Sequence, residues 1–380
     1  MTRNRVPLGN YVTEYSVRNK DNEDIPVYSV TNSQGFCREY FGKEIASKDK
    51  TTYKIVPYGY FAYNPSRINV GSVDWQRCEA QVIVSPLYNV FSVSDELDRQ
   101  FLYYFLKSNI GRQMIRAKAA GSVRDNLKLD MLKEMTIPDS SLDDQRHCVA
   151  TLDNLQYLIE LRKKQLNELD NLVKARFVEM FGIYPANQMG WETGKIRDTV
   201  ADVRYGSSRP SVDGGKYPYL RMNTITYGGE MGLSDVKRID VPENELDKCT
   251  VRRGDVLFNR TNSKELVGKT CVYDRDEMMV LAGFVIRVRV NDRVLPEFLS
   301  AFLNTDFSKK TLSEMCKAAI GQANINAQEM QNIGLYLPPL ELQRQFVQFK
   351  KQIDKSKVVV QKALDEAQTL FDSLMQQYFG

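Results

Sequence analysis

The chain repeats a long part of itself in one register. A shift of 198 positions places Gln145-Arg146 on Gln343-Arg344 and Phe181-Gly182 on Phe379-Gly380, with no gap between the two matches. Matches continue upstream with small slips, as far as the stretch YGYFAYN, which resembles RGDVLFN. Chance similarity between two amphipathic helices explains the helical part of the match but not the colinear matches before it. The register therefore predicts an internal duplication.

The repeated windows predict two long helices. Apolar residues recur every seven positions in each window, which is the spacing of a coiled-coil seam. The apolar rows comprise Leu152, Ile159, Leu166 and Val173 in the first window, and Ile353, Val360, Leu364 and Phe371 in the second. Where the second window has Lys357, the first has Ile159, so the two seams complement each other. We expect the helices to pair with each other; packing of each helix on its own domain, or in a homodimer, is the alternative.

The segments before the helices predict strand-rich modules. Runs of β-branched and aromatic residues, such as FVIRVRV, alternate with turn sequences such as YGSSRP and DGGKYP. The expected fold class is therefore α+β, with two tandem modules separated by two long antiparallel coiled-coil helices. The expected limits are 1–140 for the first module, 141–182 for the central helix, 183–342 for the second module and 343–380 for the C-terminal helix.

Sequence patterns of catalysis and metal binding are absent. There is no phosphate-binding loop and no dinucleotide-binding glycine pattern. The six cysteines are scattered without a CxxC pair, and there is one histidine, so we expect no metal site and reduced cysteines. No run approaches the ~18 apolar residues of a membrane span. A net charge of +4 does not by itself identify a partner.

The whole layout resembles the specificity subunit of type I restriction-modification systems. The stretch YGSSRP…YPYLRMNTITYGGEM resembles the opening of a target recognition domain, and VRRGDVLFNRTNSKELVGKT resembles its central hairpin region. AAGSVRDNL and AAIGQANIN precede the two helices at equivalent places, as in that family. The first module departs from the pattern, since it has YGYF where GDVL is usual. The contacts of the first module are therefore less well defined by the resemblance.

The resemblance implies a DNA-reading scaffold without catalytic activity. Each target recognition domain would read one half-site of double-stranded DNA in the major groove, and the paired helices would fix the gap in this bipartite target. Two methyltransferase subunits would dock along the helices, and a restriction subunit would join them. S-adenosylmethionine and ATP would belong to those partners, so the chain itself needs no cofactor. The complex would act in the cytoplasm, without a membrane.

Candidate DNA contacts are the arginines, lysines and small polar residues of the loops. Arginine suits guanine, asparagine suits adenine, and cations and hydroxyls suit phosphates. In the second module these are Arg204, Ser208, Arg209, Arg221, Asn223, Arg260, Asn262 and Lys264. In the first module they are Arg38, Lys43, Asn64, Ser66 and Arg67.

Two other interpretations stay open. The chain could be the targeting subunit of a type IIB-like restriction system, which would share the modules and the helices. It could also be an adaptor in which the coiled coil drives homodimerisation and the modules bind protein. The adaptor predicts no salt-dependent affinity for DNA, whereas phosphate contacts weaken steeply as salt rises.

Overall fold

The computed structural model of the chain describes residues 4–38, 49–120, 126–263, 265–316 and 323–380. The chain divides into two compact units. The first unit comprises Met1–Lys163 and Lys362–Gly380, and the second comprises Lys164–Gln361. Each unit thus combines one strand-rich module with one end of each long helix. The compact units therefore do not follow the linear order of modules and helices in the sequence.

Short helices accompany the strands, and a long helix follows each module. The helices are α1 (Arg99–Lys107), α2 (Asn109–Ala119), α3 (Leu129–Lys133), α4 (Leu142–Phe181), α5 (Glu243–Cys249), α6 (Pro296–Leu303), α7 (Asp306–Met315), α8 (Ala327–Gln331) and α9 (Leu340–Phe379). Helices α4 and α9 have 40 residues each. At 1.5 Å per residue, each measures roughly 60 Å.

The first module is built around a four-stranded antiparallel sheet. Its strands are β1 (Arg5–Pro7), β2 (Val12–Glu14), β3 (Ser29–Thr31), β4 (Gly35–Cys37), β5 (Lys54–Pro57), β6 (Phe61–Tyr63), β7 (Val73–Trp75), β8 (Gln81–Val84), β9 (Asn89–Val93) and β10 (Thr136–Pro138). The sheet has the order β2-β9-β6-β7, and the remaining strands pair as β1-β10, β3-β4 and β5-β8. Phe61 and Phe91 stack across β6 and β9, with ring centroids 5.1 Å apart.

The second module repeats this central sheet. Its strands are β11 (Glu192–Lys195), β12 (Val200–Tyr205), β13 (Tyr217–Leu220), β14 (Lys237–Ile239), β15 (Thr250–Val251), β16 (Val256–Asn259), β17 (Thr261–Asn262), β18 (Thr270–Val272), β19 (Met279–Leu281), β20 (Val285–Val290), β21 (Ala323–Asn324) and β22 (Gly334–Leu337). The antiparallel sheet β12-β20-β16-β18 follows the same strand sequence as the sheet of the first module. This common order confirms the predicted duplication.

The two modules differ outside the common sheet. The second module has a further four-stranded sheet, β14-β13-β19-β15, in which β13 and β19 run parallel. Among the described residues of the first module, the strands outside the central sheet form only two-stranded pairs. The additional sheet supports the loops that carry several of the predicted DNA contacts.

The long helices run antiparallel and pack together within each unit. In the second unit, Phe177 of α4 contacts Phe346 of α9 with ring centroids 5.3 Å apart, and Lys357 Nζ lies 2.6 Å from Asp170 Oδ1. In the first unit, the last turns of α9 pack with the early turns of α4 in one apolar core. The predicted pair of antiparallel helices is therefore confirmed.

The predicted seam residues are buried to different degrees. Leu152, Ile159 and Val360 are buried. The other predicted positions are half-buried; they are Leu166, Val173, Ile353, Leu364 and Phe371. Helix α9 begins at Leu340, before the expected position 343, and α4 begins at Leu142.

The repeated Phe-Gly endings play the same structural part in the two units. Phe379 of α9 is fully buried in the first unit, and its ring centroid lies 5.0 Å from that of Phe101 on α1. Phe181 of α4 is fully buried in the second unit, 5.0 Å from Phe298 on α6. Full burial of such a side chain stabilises a fold by about 1.5–3 kcal/mol. Each module thus takes the end of one long helix into its core.

A buried glutamine fixes the start of each long helix. Gln145 Oε1 accepts a hydrogen bond from the N–H of Asp98 at 2.8 Å, and Gln343 Oε1 accepts one from the N–H of Leu295 at 2.8 Å. Each amide nitrogen also donates to a carbonyl just before its own helix, at 3.0 Å and 2.8 Å respectively. Buried amides require such partners. This shared requirement explains why the two glutamines coincide in the repeat.

Replacing either helix-terminal phenylalanine should weaken its own unit. Phe379→Ala removes a fully buried ring and leaves a cavity, so the free energy of unfolding of the first unit should fall by about 3–5 kcal/mol. Phe181→Ala should do the same to the second unit. Native-state hydrogen exchange separates the two effects, with faster exchange in α1 for Phe379→Ala and in α6 for Phe181→Ala.

Leu370→Ala is the matched control for Phe379→Ala, because Leu370 lies on the same helix and is half exposed. Its effect should stay below about 0.5 kcal/mol. Equal protection of α1 in the Phe379→Ala and Leu370→Ala proteins would contradict the packing role of Phe379.

Candidate nucleic-acid interface

The predicted contacts of the second module lie on three segments. These are the end of β12 with the loop after it, the 3₁₀ turn Met222–Thr224 that follows β13, and the β16–β17 region. They carry, in that order, Arg204, Ser208 and Arg209; Arg221 and Asn223; and Arg260 and Asn262. Lys264 lies outside the described residues.

Two buried side chains donate hydrogen bonds to the backbone of the turn that carries Arg221 and Asn223. Thr224 is buried, and its hydroxyl donates to the carbonyl of Arg221 at 2.6 Å. Lys269 is also buried, and its Nζ donates to the carbonyl of Met222 at 3.1 Å. Burial lowers the pKa of Lys269. Two buried donors thus fix the backbone of the turn, so Arg221 and Asn223 project from a rigid base.

Arg221 and Asn223 converge on the same oxygen atom. Arg221 NH2 donates to Asp235 Oδ2 at 2.9 Å, and Asn223 Nδ2 donates to the same Oδ2 at 3.3 Å. Asp235 lies in the turn before β14 and its side chain is 63% exposed. A guanidinium and an amide are therefore already directed at one accessible acceptor atom. An acceptor atom of a base edge or a phosphate could bind to the same two donors.

Two of the three other predicted arginines of this module, Arg209 and Arg204, are also paired with carboxylates. Arg209 makes two hydrogen bonds to Glu245, at 3.1 Å from Nε and 2.7 Å from NH2. The hydrogen bond raises the pKa of Arg209 and lowers that of Glu245. Arg204 Nε donates to Asp202 at 2.9 Å. Ion pairs at such accessible positions are weak, so a phosphate can compete for these arginines.

Arg260 is held by an aromatic ring. Its guanidinium carbon lies 5.0 Å from the ring centroid of Tyr205, and the Tyr205 hydroxyl accepts from the N–H of Ala327 at 2.9 Å. A cation over an aromatic face is stabilised by the ring quadrupole. The Nε of Arg260 is buried and has no hydrogen-bond partner among the described residues. The side chain is therefore oriented but keeps an unused donor.

The remaining predicted residues of this module have simpler surroundings. The Asn262 side-chain oxygen accepts from the N–H of Ser263 at 2.9 Å, and β17 pairs with β21. Ser208 is exposed on the loop after β12. That loop is brought close to β19 because Gly206 has no side chain; a Cβ there would lie 2.1 Å from the carbonyl oxygen of Leu281.

In the first module the structure describes part of the predicted set. Asn64 Oδ1 accepts from the N–H of Ser66 at 3.1 Å and from its hydroxyl at 2.9 Å, so this oxygen shapes the turn. Arg67 and Arg38 are exposed. Lys43 lies outside the described residues. The described residues of the first module thus present fewer oriented donors than those of the second.

Three residues that matter for this surface were missed by the sequence analysis. Tyr205 directly follows Arg204, but the cation that it contacts is Arg260, which is distant in the sequence. Asp235 and Lys269 gave no local signal, since their partners Arg221 and Met222 lie far away in the sequence. Such contacts depend on the tertiary fold of the module.

A cavity of about 160 Å³ lies elsewhere in the second unit. Its apolar wall includes Phe177, Ile183, Tyr184, Phe302 and Phe307, at the end of α4 and the corner between α6 and α7. It shares no lining residue with the polar surface described above. The described residues also contain no cluster of three or more potential metal ligands, and no helix with the length and apolarity to cross a bilayer.

Comparison with solved structures agrees with the fold. The chain superimposes on the specificity subunit of a type I restriction-modification system from M. genitalium with a TM-score of 0.53 and 15% identity, covering 100% of this chain and 97% of that one. It superimposes on a chain from a structure of type I complex assembly and conformational transition with a TM-score of 0.59 and 18% identity, covering 99% and 97%.

Sequence comparison gives the same family. The specificity subunit of the type I restriction enzyme EcoKI from Escherichia coli K12 is 22% identical over 292 residues, which are 73% of this chain. The StySPI specificity subunit from Salmonella potsdam is 22% identical over 291 residues. The match spans 63% of each of these relatives, less than two thirds of their length. The model of the type I restriction modification DNA specificity domain matches residues 9–171 and 189–367. The chain, with two copies of this domain, therefore belongs to the type I restriction-modification specificity family.

Proposed function

We propose that the chain is the DNA sequence-specificity subunit of a type I restriction-modification complex. The observation that carries this proposal is the convergence of Arg221 and Asn223 on one acceptor from a rigid turn. Arginine and asparagine are the side chains that read guanine and adenine in the major groove. Membership of the specificity family supports the same substrate, double-stranded DNA.

The proposed target is bipartite. Two modules with the same central sheet but different loops would read two different half-sites, and the paired helices α4 and α9 would set the gap between them. The proposed recognition domains are residues 1–140 and 183–342. In this proposal the chain acts in the cytoplasm, carries no catalytic group and binds no cofactor, because methylation and cleavage belong to partner subunits.

The proposed partners are two methyltransferase subunits and a restriction subunit. Exposed apolar residues recur on the long helices at the same repeat positions: Leu161 matches Val359, and Leu172 matches Leu370. Leu161 and Leu370 belong to the first unit, whereas Leu172 and Val359 belong to the second. Exposed apolar residues at equivalent repeat positions, one in each unit, support equivalent docking sites for two identical partners.

Enrichment from a random duplex pool tests the main proposal. The full chain, purified with its methyltransferase partner at near-physiological salt, should select two short motifs at a fixed spacing. Binding should weaken steeply as salt rises, because phosphate contacts release counterions. A stable homodimer without enrichment and without salt dependence would instead support the protein-binding adaptor.

Replacing Arg260 should relax one position of the selected target. Arg260→Ala should cost about 1–3 kcal/mol of binding to the cognate duplex and leave scrambled duplexes almost unaffected, because a base contact is lost. Competition binding measures both values. Arg253→Ala is the control, since Arg253 lies outside the predicted set and donates from Nε and NH2 to the carboxylate of Asp276. An equal loss on cognate and scrambled duplexes would show that Arg260 is not a base-reading residue.

Charged substitutions on the helices should remove methyltransferase subunits one at a time. Leu161→Glu and Val359→Glu each place a carboxylate in one of the two equivalent sites, so each complex should lose one copy and the double variant should lose both. Native mass spectrometry counts the copies. Gln361→Glu adds the same charge near Val359 on another side of the helix and should retain both. Retention of two copies by the double variant would exclude these sites.

A further inference from the structure

The carboxylate of Asp235 occupies the place of an acceptor between two donors of the proposed reading surface. Arg221 NH2 and Asn223 Nδ2 lie 2.9 Å and 3.3 Å from the same oxygen, Oδ2. The two donors come from alternate residues of one turn. Thr224 and Lys269 fix the backbone of this turn by hydrogen bonds to its carbonyl groups. The two donors therefore point at a single spot whose only occupant among the described residues is Asp235.

The ion pair of Arg221 differs from those of Arg209 and Arg253 in the same module. Arg209 and Arg253 each donate from both Nε and NH2 to one carboxylate. Arg221 uses only NH2 for the Asp235 side chain, and its Nε is buried without a hydrogen-bond partner among the described residues. A buried unpaired donor is unfavourable. The contact with Asp235 therefore leaves Arg221 incompletely satisfied.

An acceptor with two adjacent atoms could engage Arg221 NH2 and Asn223 Nδ2 at separate atoms, whereas Asp235 receives both donors at one oxygen. The O6 and N7 atoms of guanine and two oxygens of a phosphate both present such a pair. Because the side chain of Asp235 is 63% exposed, an incoming acceptor can displace it. A duplex that places no such acceptor within reach of the two donors would instead leave the carboxylate in place, as a negative charge facing the DNA.

We propose that Asp235 is a specificity-determining residue. It holds Arg221 and Asn223 converged in the free protein, and it disfavours any duplex that cannot replace it at both donors. This inference rests on the proposed function, since it assigns a selective role to one carboxylate of the same surface. Asp235 would act through Arg221 and Asn223 and would make no favourable contact with DNA itself.

The test is Asp235→Asn in the full chain, measured on the enriched duplex and on a scrambled one. The change keeps the shape of the side chain but removes its charge. Affinity for the scrambled duplex should rise about threefold to tenfold, and affinity for the enriched duplex should rise less, so the ratio between them should fall. Asp276→Asn removes the same charge from the Arg253 pair and should leave that ratio unchanged.

A variant that lacks both donors shows whether Asp235→Asn changes the affinity ratio through Arg221 and Asn223 or only through its charge. In an Arg221→Ala/Asn223→Ala protein, Asp235→Asn should no longer alter the ratio. If Asp235→Asn acts equally in both backgrounds, or equally to Asp276→Asn, the inference is overturned while the proposed function stands. If the unsubstituted chain binds no duplex in a salt-dependent way, the proposed function itself fails.

The same measurements identify the natural acceptor. If it is a base edge, Arg221→Ala should lower affinity only for duplexes that keep one particular base of the enriched motif. If it is a phosphate, Arg221→Ala should weaken enriched and scrambled duplexes by the same factor and reduce the salt slope by about one. Because every duplex offers phosphates, that result would overturn the selective role of Asp235. Asp235→Ser serves as a second uncharged variant, and unchanged thermal unfolding confirms that both variants fold.

Discussion

The burial of a helix-terminal phenylalanine in each module is the interaction that joins the long helices to the modules. Phe379 and Phe181 each insert among the aromatic side chains of a short helix, and a buried glutamine fixes the opposite end of a long helix to a module. Both ends of each long helix are therefore held by buried groups, each within its own unit. The attachment of the long helices to the modules thus depends on these four buried side chains.

The sequence predicted the duplication and the paired helices because both leave periodic signals. Gln145 and Gln343 coincide because each must satisfy the same backbone groups, and the apolar rows coincide because each must cover a neighbouring helix. The strand order and the division into compact units left no such signal. Both depend on contacts between distant segments, such as Arg5 with Phe379, which only the folded chain brings together.

The polar surface was predicted by residue type but not by arrangement. Arginine and asparagine in loop sequences placed Arg221 and Asn223 in the predicted set, and the structure places both at one turn; their contact with DNA stays a prediction. The carboxylate partners Asp235 and Glu245 could not be assigned, since acidic residues are abundant and their pairing is set by the additional sheet of the second module. The acidic partners of Lys357, which lies at a seam position, could not be predicted from the sequence either. Its amine is bound by Asp170 and by Glu230 from a module loop, whereas the equivalent Ile159 is an apolar buried residue.

The contribution of α9 to the first module also bears on the order in which the chain can fold during synthesis. The carbonyl of Phe379 accepts a hydrogen bond from Arg5, 374 residues earlier in the chain. The second module receives Phe181 from a helix made before its own strands, and its core is complete once the early turns of α9, with Phe346, have been made. The first module must wait for the last turn of α9, with part of its aromatic core uncovered in the meantime. The module that is translated first is therefore completed last.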